Sequence, residues 1–330
     1  MSECCGDPKA IRNVPTELSS GDRIGALKVR LGIGRNNYKI PLGLYSVGDP
    51  DASSPVLVSA NYKLTFDSLR KELGGLDCYI LILDTKGINV WCAAGKGTFG
   101  TNELVNRIEK TGLADVVSHR DLILPQLGAP GICAHEVKRR SGFNVIFGPV
   151  RAKDIKAFFA AGMEATEEMR TVKFTTRDRT VLTPMEFIPA MKLSLLVFGI
   201  LFLANLIASV PFGLNDVCIY MGAVIVGTVV TPILLPLVPV RAFSLKGGIL
   251  GLCWTLYAVW AFGWLQDDIT TAVGYLFMLP SLSAFFAMNF TGASTYTSFS
   301  GVIKEMKAAV PIIIVTIIIG VILLIIGRVI

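Results

Sequence analysis

The chain is 330 residues long, 52% hydrophobic and only 17% charged, with 31 basic against 25 acidic residues. Its apolar share lies slightly above the globular norm and its charge well below it. These values exclude a single soluble globular domain, a disordered chain and a disulfide-stapled secreted module.

The charge is unevenly placed. Residues 191–330 hold six basic side chains (Lys192, Arg241, Lys246, Lys304, Lys307, Arg328) and four acidic ones (Asp216, Asp267, Asp268, Glu305), which leaves 25 basic and 21 acidic residues in the first 190. The first half therefore reads as a soluble domain and the second as a membrane domain.

In chain order, Ala26–Ile33 and Tyr38–Tyr45 read as paired strands around a Gly34–Asn37 turn, so residues 1–50 are expected to form an N-terminal segment with a β-hairpin. Pro55–Ala60 reads as a short apolar strand. Thr65–Leu73 reads as a helix with Thr65 as N-cap, and Cys78–Asp84 as a strongly apolar strand. Thr101–Lys110 is expected to be helical, with Val116–Val117 in or near a short strand. Ile132–Arg140 follows as a helix, Phe143–Phe147 as a strand and Arg151–Ala160 as a helix. Such alternation predicts βαβ units and a mainly parallel, Rossmann-like α/β sheet over 51–165. The charged stretch 166–190 reads as a linker.

Five segments of the second half, 191–330, reach spanning length: Met191–Val210, Val217–Val238, Leu245–Leu265, Ile269–Phe290 and Val310–Ile326. This predicts an all-α, five-helix transmembrane domain. Pro232, Pro236 and Pro280 lie in or near span ends, where membrane helices tolerate them. Basic and non-basic connections alternate: Lys173, Arg177, Arg179 and Lys192 precede the first span, Arg241 and Lys246 lie in the second loop, and Lys304 and Lys307 in the fourth. By the positive-inside rule the N-terminal domain is cytoplasmic and the chain a multi-pass protein of the cell (inner) membrane. The first 25 residues lack an apolar signal core, in agreement with that orientation. No Lys, Arg, Asp or Glu lies deep in a span, which favours an anchor or docking platform over an ion pathway. Nothing points to a nucleic-acid partner.

Ligands on open parallel sheets bind at the carboxyl ends of strands. Three Gly- and Pro-rich loops follow strands there, Asp84–Gly100, Leu124–Gly131 and Gly148–Val150, and form the candidate site. Gly95-Lys96-Gly97-Thr98-Phe99-Gly100 formally matches G-x-G-x-x-G, and Asp115 or Asp121 lies about 20 residues on. The dinucleotide fingerprint needs its first Gly directly after the strand, however, and Thr85–Ala94 intervenes. A P-loop needs a Gly where Val90 stands and a Ser or Thr where Gly97 stands. An NAD oxidoreductase thus rests on a poor match.

Seven cysteines (Cys4, Cys5, Cys78, Cys92, Cys133, Cys218, Cys253) include no C-x-x-C, so zinc-ribbon and ferredoxin-type ligand sets are missing. His119 and His135 read as surface or structural. Cys78, Cys218 and Cys253 read as small hydrophobes in a strand and two spans. Cys4 and Cys5 carry no assignment beyond a conceivable soft-metal pair. Cys92 stands among small residues near Lys96 and the start of a helix, a context that favours a thiolate. From the residues alone it is either a buried structural cysteine or a functional one.

The stretch Asn89-Val90-Trp91-Cys92-Ala93-Ala94-Gly95-Lys96 resembles, at every position, the cap-helix signature of the HgcA family, the membrane-bound corrinoid proteins of microbial mercury methylation. The surrounding 50–165 is similar to the corrinoid-binding domain of the corrinoid iron–sulfur protein, through Ala60–Phe66, Leu124–Gly131 and Gly148–Arg151. The resemblance implies a cytoplasmic corrinoid domain followed by five membrane helices. It implies a base-off, cobalamin-type corrinoid with the Cys92 thiolate as axial ligand to cobalt, and Trp91 with Ala93, Ala94, Gly95 and Lys96 shaping the cap. Asn61, Thr65, Asn89, Val90, Gly128, Ala129, Pro130 and Gly131 would supply further cofactor contacts. The implied activity is a corrinoid-dependent methyltransferase passing a methyl group from methyl-Co(III) to inorganic Hg(II), giving methylmercury. A thiolate trans to the methyl group donates density and labilises the Co–C bond, a role the cofactor's chemistry leaves to the protein. The chain has no cluster ligands, so the implied reductant is a ferredoxin-like partner with two 4Fe–4S clusters, alongside a methyl-donor system. The alternative is a membrane-anchored corrinoid methyl carrier with another physiological acceptor.

Overall fold

The structure is a computed structural model and describes residues 9–206 and 211–329. It divides into two compact units, one running to Lys173 without Arg30–Gly32, and the other made of Arg30–Gly32 and the chain from Phe174 onward. Cys4 and Cys5 lie outside the described residues.

The first unit runs β1 (Arg12–Asn13), α1 (Ser20–Arg30), β2 (Gly43–Val47), β3 (Val56–Ala60), α2 (Lys63–Arg70), β4 (Cys78–Leu83), α3 (Val90–Gly95), α4 (Thr101–Thr111), α5 (Leu113–Val116), β5 (Asp121–Pro125), α6 (Ala134–Ser141), β6 (Asn144–Gly148), α7 (Ile155–Ala160) and α8 (Glu167–Arg170). Its six-stranded sheet has the order β1-β2-β4-β3-β5-β6. Every neighbouring pair is parallel except β2 with β4. Strand β4 is buried at all six positions, as its unbroken apolar run requires. Alternate residues feed opposite faces. Leu81 and Leu83 pack with Leu104, Ile108 and Val137 of α4 and α6. Cys78, Ile80 and Ile82 pack with Phe66, Leu69 and Phe158 of α2 and α7. The result is a doubly wound α/β sheet.

Several sequence expectations are corrected here. The N-terminal hairpin does not form: residues 20–30 are helical, and β2 pairs with β4 and β1 instead. The Ser19 hydroxyl accepts the Asp22 N–H (3.1 Å) and the Asp22 carboxylate accepts the Ser19 N–H (3.0 Å), a reciprocal cap that overrides the apparent alternation of Ala26–Ile33. Helix α2 starts two residues early, with Tyr62 rather than Thr65 at its N-cap. Val116 ends α5, and the strand expected there begins at Asp121, because Gly112 (φ +62°) breaks α4 and starts a new helical turn. The stretch expected as a linker, 166–190, contains α8 and the first half of a long helix. Thr175 and Asp178 open that helix with a capping box.

The second unit comprises α9 (Thr176–Ala204), α10 (Leu214–Ile225), α11 (Thr231–Leu234), α12 (Phe243–Ala261), α13 (Trp264–Asp267), α14 (Ile269–Asn289) and α15 (Phe299–Val329). A π turn at Val226–Val230 joins α10 to α11. Among the described residues, four helical segments are long and apolar enough to cross a membrane: Thr176–Ala204, Leu214–Leu234, Ile269–Gly292 and Ser300–Gly327. The predicted span Leu245–Leu265 corresponds to α12. This 19-residue helix carries Lys246 in its first turn and is not among the four. Close helix approach rests on glycine: a Cβ on Gly251 would lie 2.6 Å from the Ser283 Cβ, and one on Gly320 2.7 Å from the Gly274 carbonyl oxygen. The buried Asp216 carboxylate caps α10 at Gly213 N–H (2.7 Å) and accepts from the Tyr275 hydroxyl.

Candidate functional site

Strand order reverses beside β3: the chain moves from β3 to β4 on one side, then to β5 on the other. Such a switch point opens a crevice at the carboxyl ends of the strands. A cavity of about 360 Å³ lies there, between the ends of β3, β5 and β6, the helices α2 and α7, and the start of α3. Its walls include Leu57, Ile123, Leu127 and Ile155, with Ser59, Thr65, Ser68 and Asn89 as polar exceptions. Apolar walls with few polar groups are the usual make-up of a cofactor or ligand site.

The helix above the cavity is α3, which carries the Asn89–Lys96 stretch. Asn89 is its N-cap, and the Asn89 Oδ1 accepts the Cys92 N–H at 2.9 Å. Asn89, Val90 and Trp91 line the cavity. The indole of Trp91 is 39% exposed, unusual for so large an apolar surface, and Cys92 beside it is half-buried with a free thiol. Ala93 and Ala94 face inward and are buried, while Gly95 and Lys96 are exposed.

The glycines of the 126–131 turn hold this helix in place. A Cβ on Gly128 would lie 2.5 Å from Cε1 of Phe99, and one on Gly131 would collide with the Phe99 carbonyl oxygen and crowd the Cα of Ala94. Only glycine permits this approach, so the two segments pack backbone to backbone. Ala129 is half-buried and Pro130 exposed. None of the four from Gly128 to Gly131 lines the cavity.

Asn61 is buried and does not line the cavity either. Its Oδ1 accepts from Thr85 N–H (3.2 Å), Thr85 Oγ1 (2.9 Å) and Gly87 N–H (2.9 Å), and its Nδ2 donates to Asp84 Oδ1 (3.2 Å). All of its side-chain bonds fasten the loop that leads from β4 into α3. Within that loop Lys86 adopts φ +57°, a left-handed backbone that non-glycine residues rarely take. Sequence reasoning missed Ser59, Ser68 and Ile155 as cavity residues. The signal available was position, at strand ends beside the switch point and on helices facing them. Pro149 and Val150, in a loop the sequence did single out, do line it.

Other groups resolve as structural. Burial and the neighbouring Asp77 charge push the Cys78 thiol up to about 12, so it packs as a small hydrophobe. His119 accepts the Asp121 N–H at Nδ1 (3.2 Å) and meets the Ser54 carbonyl with Nε2 (2.9 Å), so its ring braces the loop. Cys133, Cys218 and Cys253 are exposed. The G-x-G-x-x-G match fails structurally, because β4 ends at Leu83 and a loop and α3 precede Gly95.

The α/β unit has known counterparts. Residues 35–159 match the family model described as CO dehydrogenase/acetyl-CoA synthase delta subunit. The chain is similar to the acetyl-CoA decarbonylase/synthase complex subunit gamma of Methanopyrus kandleri, at 32% identity over 126 residues, covering 38% of this chain and 27% of that protein. The corresponding subunit of Methanocaldococcus jannaschii is 35% identical over 116 residues, covering 34% and 23%. That of Archaeoglobus fulgidus is 29% identical over 126 residues, covering 38% and 26%. The chain spans about a quarter of the length of these relatives.

Proposed function

We propose that the α/β unit is a corrinoid-binding domain and that Cys92 is the axial ligand of the corrinoid cobalt. One observation carries this reading: the start of a capped helix puts Asn89, Val90 and Trp91 in the wall of an apolar cavity at the sheet's switch point, and the half-buried free thiol of Cys92, not itself a lining residue, comes next in the chain. The residues present fit such a group. A thiol offered to a metal must be reachable yet shielded, and a large, mostly apolar macrocycle needs apolar surface to cover it. The similarity of residues 35–159 to subunits of acetyl-CoA decarbonylase/synthase complexes supports the same reading, because building acetyl-CoA requires a carrier for its methyl carbon.

Each residue takes a defined task. Cys92 supplies a thiolate, with its backbone fixed by Asn89. Trp91 and Val90 present apolar surface to the cavity, where Thr65 offers a hydroxyl. Ala93 and Ala94, being small, let α3 seat on Gly128 and Gly131. Asn61 positions the entering loop, and Lys96 stands exposed at the helix end. When bound, the corrinoid would supply methyl-transfer chemistry, and the Cys92 sulfur would be the group that holds its cobalt.

Hg(II) is the acceptor we assign, on the strength of the Asn89–Lys96 stretch, with a ferredoxin-like protein carrying two 4Fe–4S clusters as reductant. The second unit anchors the chain in a lipid bilayer as a five-helix domain, α12 included, with the α/β unit on the cytoplasmic side. Full-length protein supplied with corrinoid, reductant, methyl donor and Hg(II) is expected to form methylmercury. Unchanged product from Cys92→Ala would sink the assignment of the ligand. A second reading, a methyl carrier with another acceptor, is favoured by the relatives' place in acetyl-CoA complexes. Corrinoid binding through Cys92 without methylation of Hg(II) would select it.

A further inference from the structure

We infer that the second unit binds the phosphate headgroup of an anionic phospholipid in a basic cavity at one end of its helices. The inference rests on the reading that these helices span a bilayer. The cavity, about 1020 Å³, lies between the 235–246 segment and the start of α15. Arg241, Lys246 and Lys304 line it, and Glu305 is the only acidic residue among the lining groups. The Glu305 carboxylate accepts the Ser244 N–H at 2.6 Å and so serves as the N-terminal brace of α12. With three cations against one carboxylate, the cavity is formally +2.

Lys246 is the telling group. It is 92% buried, at 8% exposure, and its Nζ donates to the carbonyls of Leu235 and Val238 at 2.6 Å each. An ammonium has three N–H donors, and these two carbonyls use two of them. Among the described residues no carboxylate pairs with it. A buried cation without an anionic partner is costly, and an anion admitted to the cavity removes that cost. Exposed Arg241 and Lys304 stand at the same cavity without ion-pair partners among the described residues.

The rest of the lining says that the anion is lipid-borne. Leu245 and Ile312 are part of the wall and are 57% and 64% exposed, so the polar site runs directly onto apolar helix surface. A free inorganic anion has no use for that surface, whereas an acyl chain covers it. Basic pockets between membrane helices on the positively charged side suit acidic headgroups.

Native mass spectrometry of the full-length chain, released from nanodiscs of phosphatidylcholine with or without phosphatidylglycerol, tests this. The expected result is one retained phosphatidylglycerol, unaffected by added inorganic phosphate or glycerol phosphate. Retention should fall roughly tenfold or more in Arg241→Gln/Lys304→Gln, which alters two exposed side chains and spares the buried Lys246. Equal retention of both lipids, unchanged retention in the double variant, or displacement by millimolar inorganic phosphate would each overturn the inference. Failure of the chain to enter nanodiscs would overturn the membrane reading itself, a different outcome from entry without lipid preference.

Discussion

At the scale of single residues, the site depends on two kinds of side chain: those that reach the cavity and those that fix the backbone carrying them. Gly131 belongs to the second kind. Gly131→Ala forces a Cβ against Phe99 and Ala94, and overpacking of this sort costs roughly 1–3 kcal/mol. The strain falls on α3, so hydrogen exchange at residues 90–99 should quicken while strand β4 stays protected. Equal protection in variant and wild type would contradict the seating described. Asn61→Ala strips partners from the buried Thr85 and Gly87 amides and should lower stability by roughly 3 kcal/mol in denaturant unfolding. The resemblance implies a cofactor contact for Asn61, and its side-chain bonds brace the 84–87 loop. Sequence alone could not tell the two apart, because a buried asparagine that holds a loop and one that faces a ligand occur in the same kind of turn.

At the scale of elements, α1 is held to α2 by charge. Lys63 bridges Asp22 and Asp67, and Arg70 pairs with Asp22 (2.7 Å) and Asp67 (2.8 Å) while donating to the Glu17 carbonyl (3.0 Å). The hydrogen bond from Lys63 is the main reason that the Asp22 carboxyl is held well below the usual carboxylate range. A value depressed by folding stabilises the native state above the unfolded pKa, roughly 3.9, and that stabilisation disappears as pH falls through the folded value. Wild type should therefore lose stability more steeply than Asp22→Asn as pH drops below about 4. Parallel acid-unfolding curves would refute the role of this cluster. The sequence readily revealed β4 and α4, whose buried run and amphipathic period are strong local signals. It misread residues 20–30, where the reciprocal Ser19–Asp22 cap decides for helix against a weak alternation. It also displaced β5, since Gly112 resets the chain in a way that apolar spacing alone does not reveal.

At the scale of the whole molecule, composition already separated two kinds of chain, and the structure divides it at residue 173. Of five expected spans, four are long and apolar enough by length and composition among the described residues, and α12, which carries Lys246, is not one of them. That lysine is the group on which the lipid inference turns. Full-length protein expressed in cells should remain in the membrane pellet after alkaline carbonate washing. Release into the supernatant would contradict the spanning reading.

The central claim is that Cys92 ligates a corrinoid cobalt. The most direct test is the ultraviolet–visible spectrum of full-length protein reconstituted with a cobalamin, wild type against Cys92→Ala and Cys92→His. The account predicts corrinoid bands with a cobalt–thiolate signature in wild type, lost in Ala and replaced by a nitrogen-ligated spectrum in His. A wild-type spectrum superimposable on that of Cys92→Ala would contradict it.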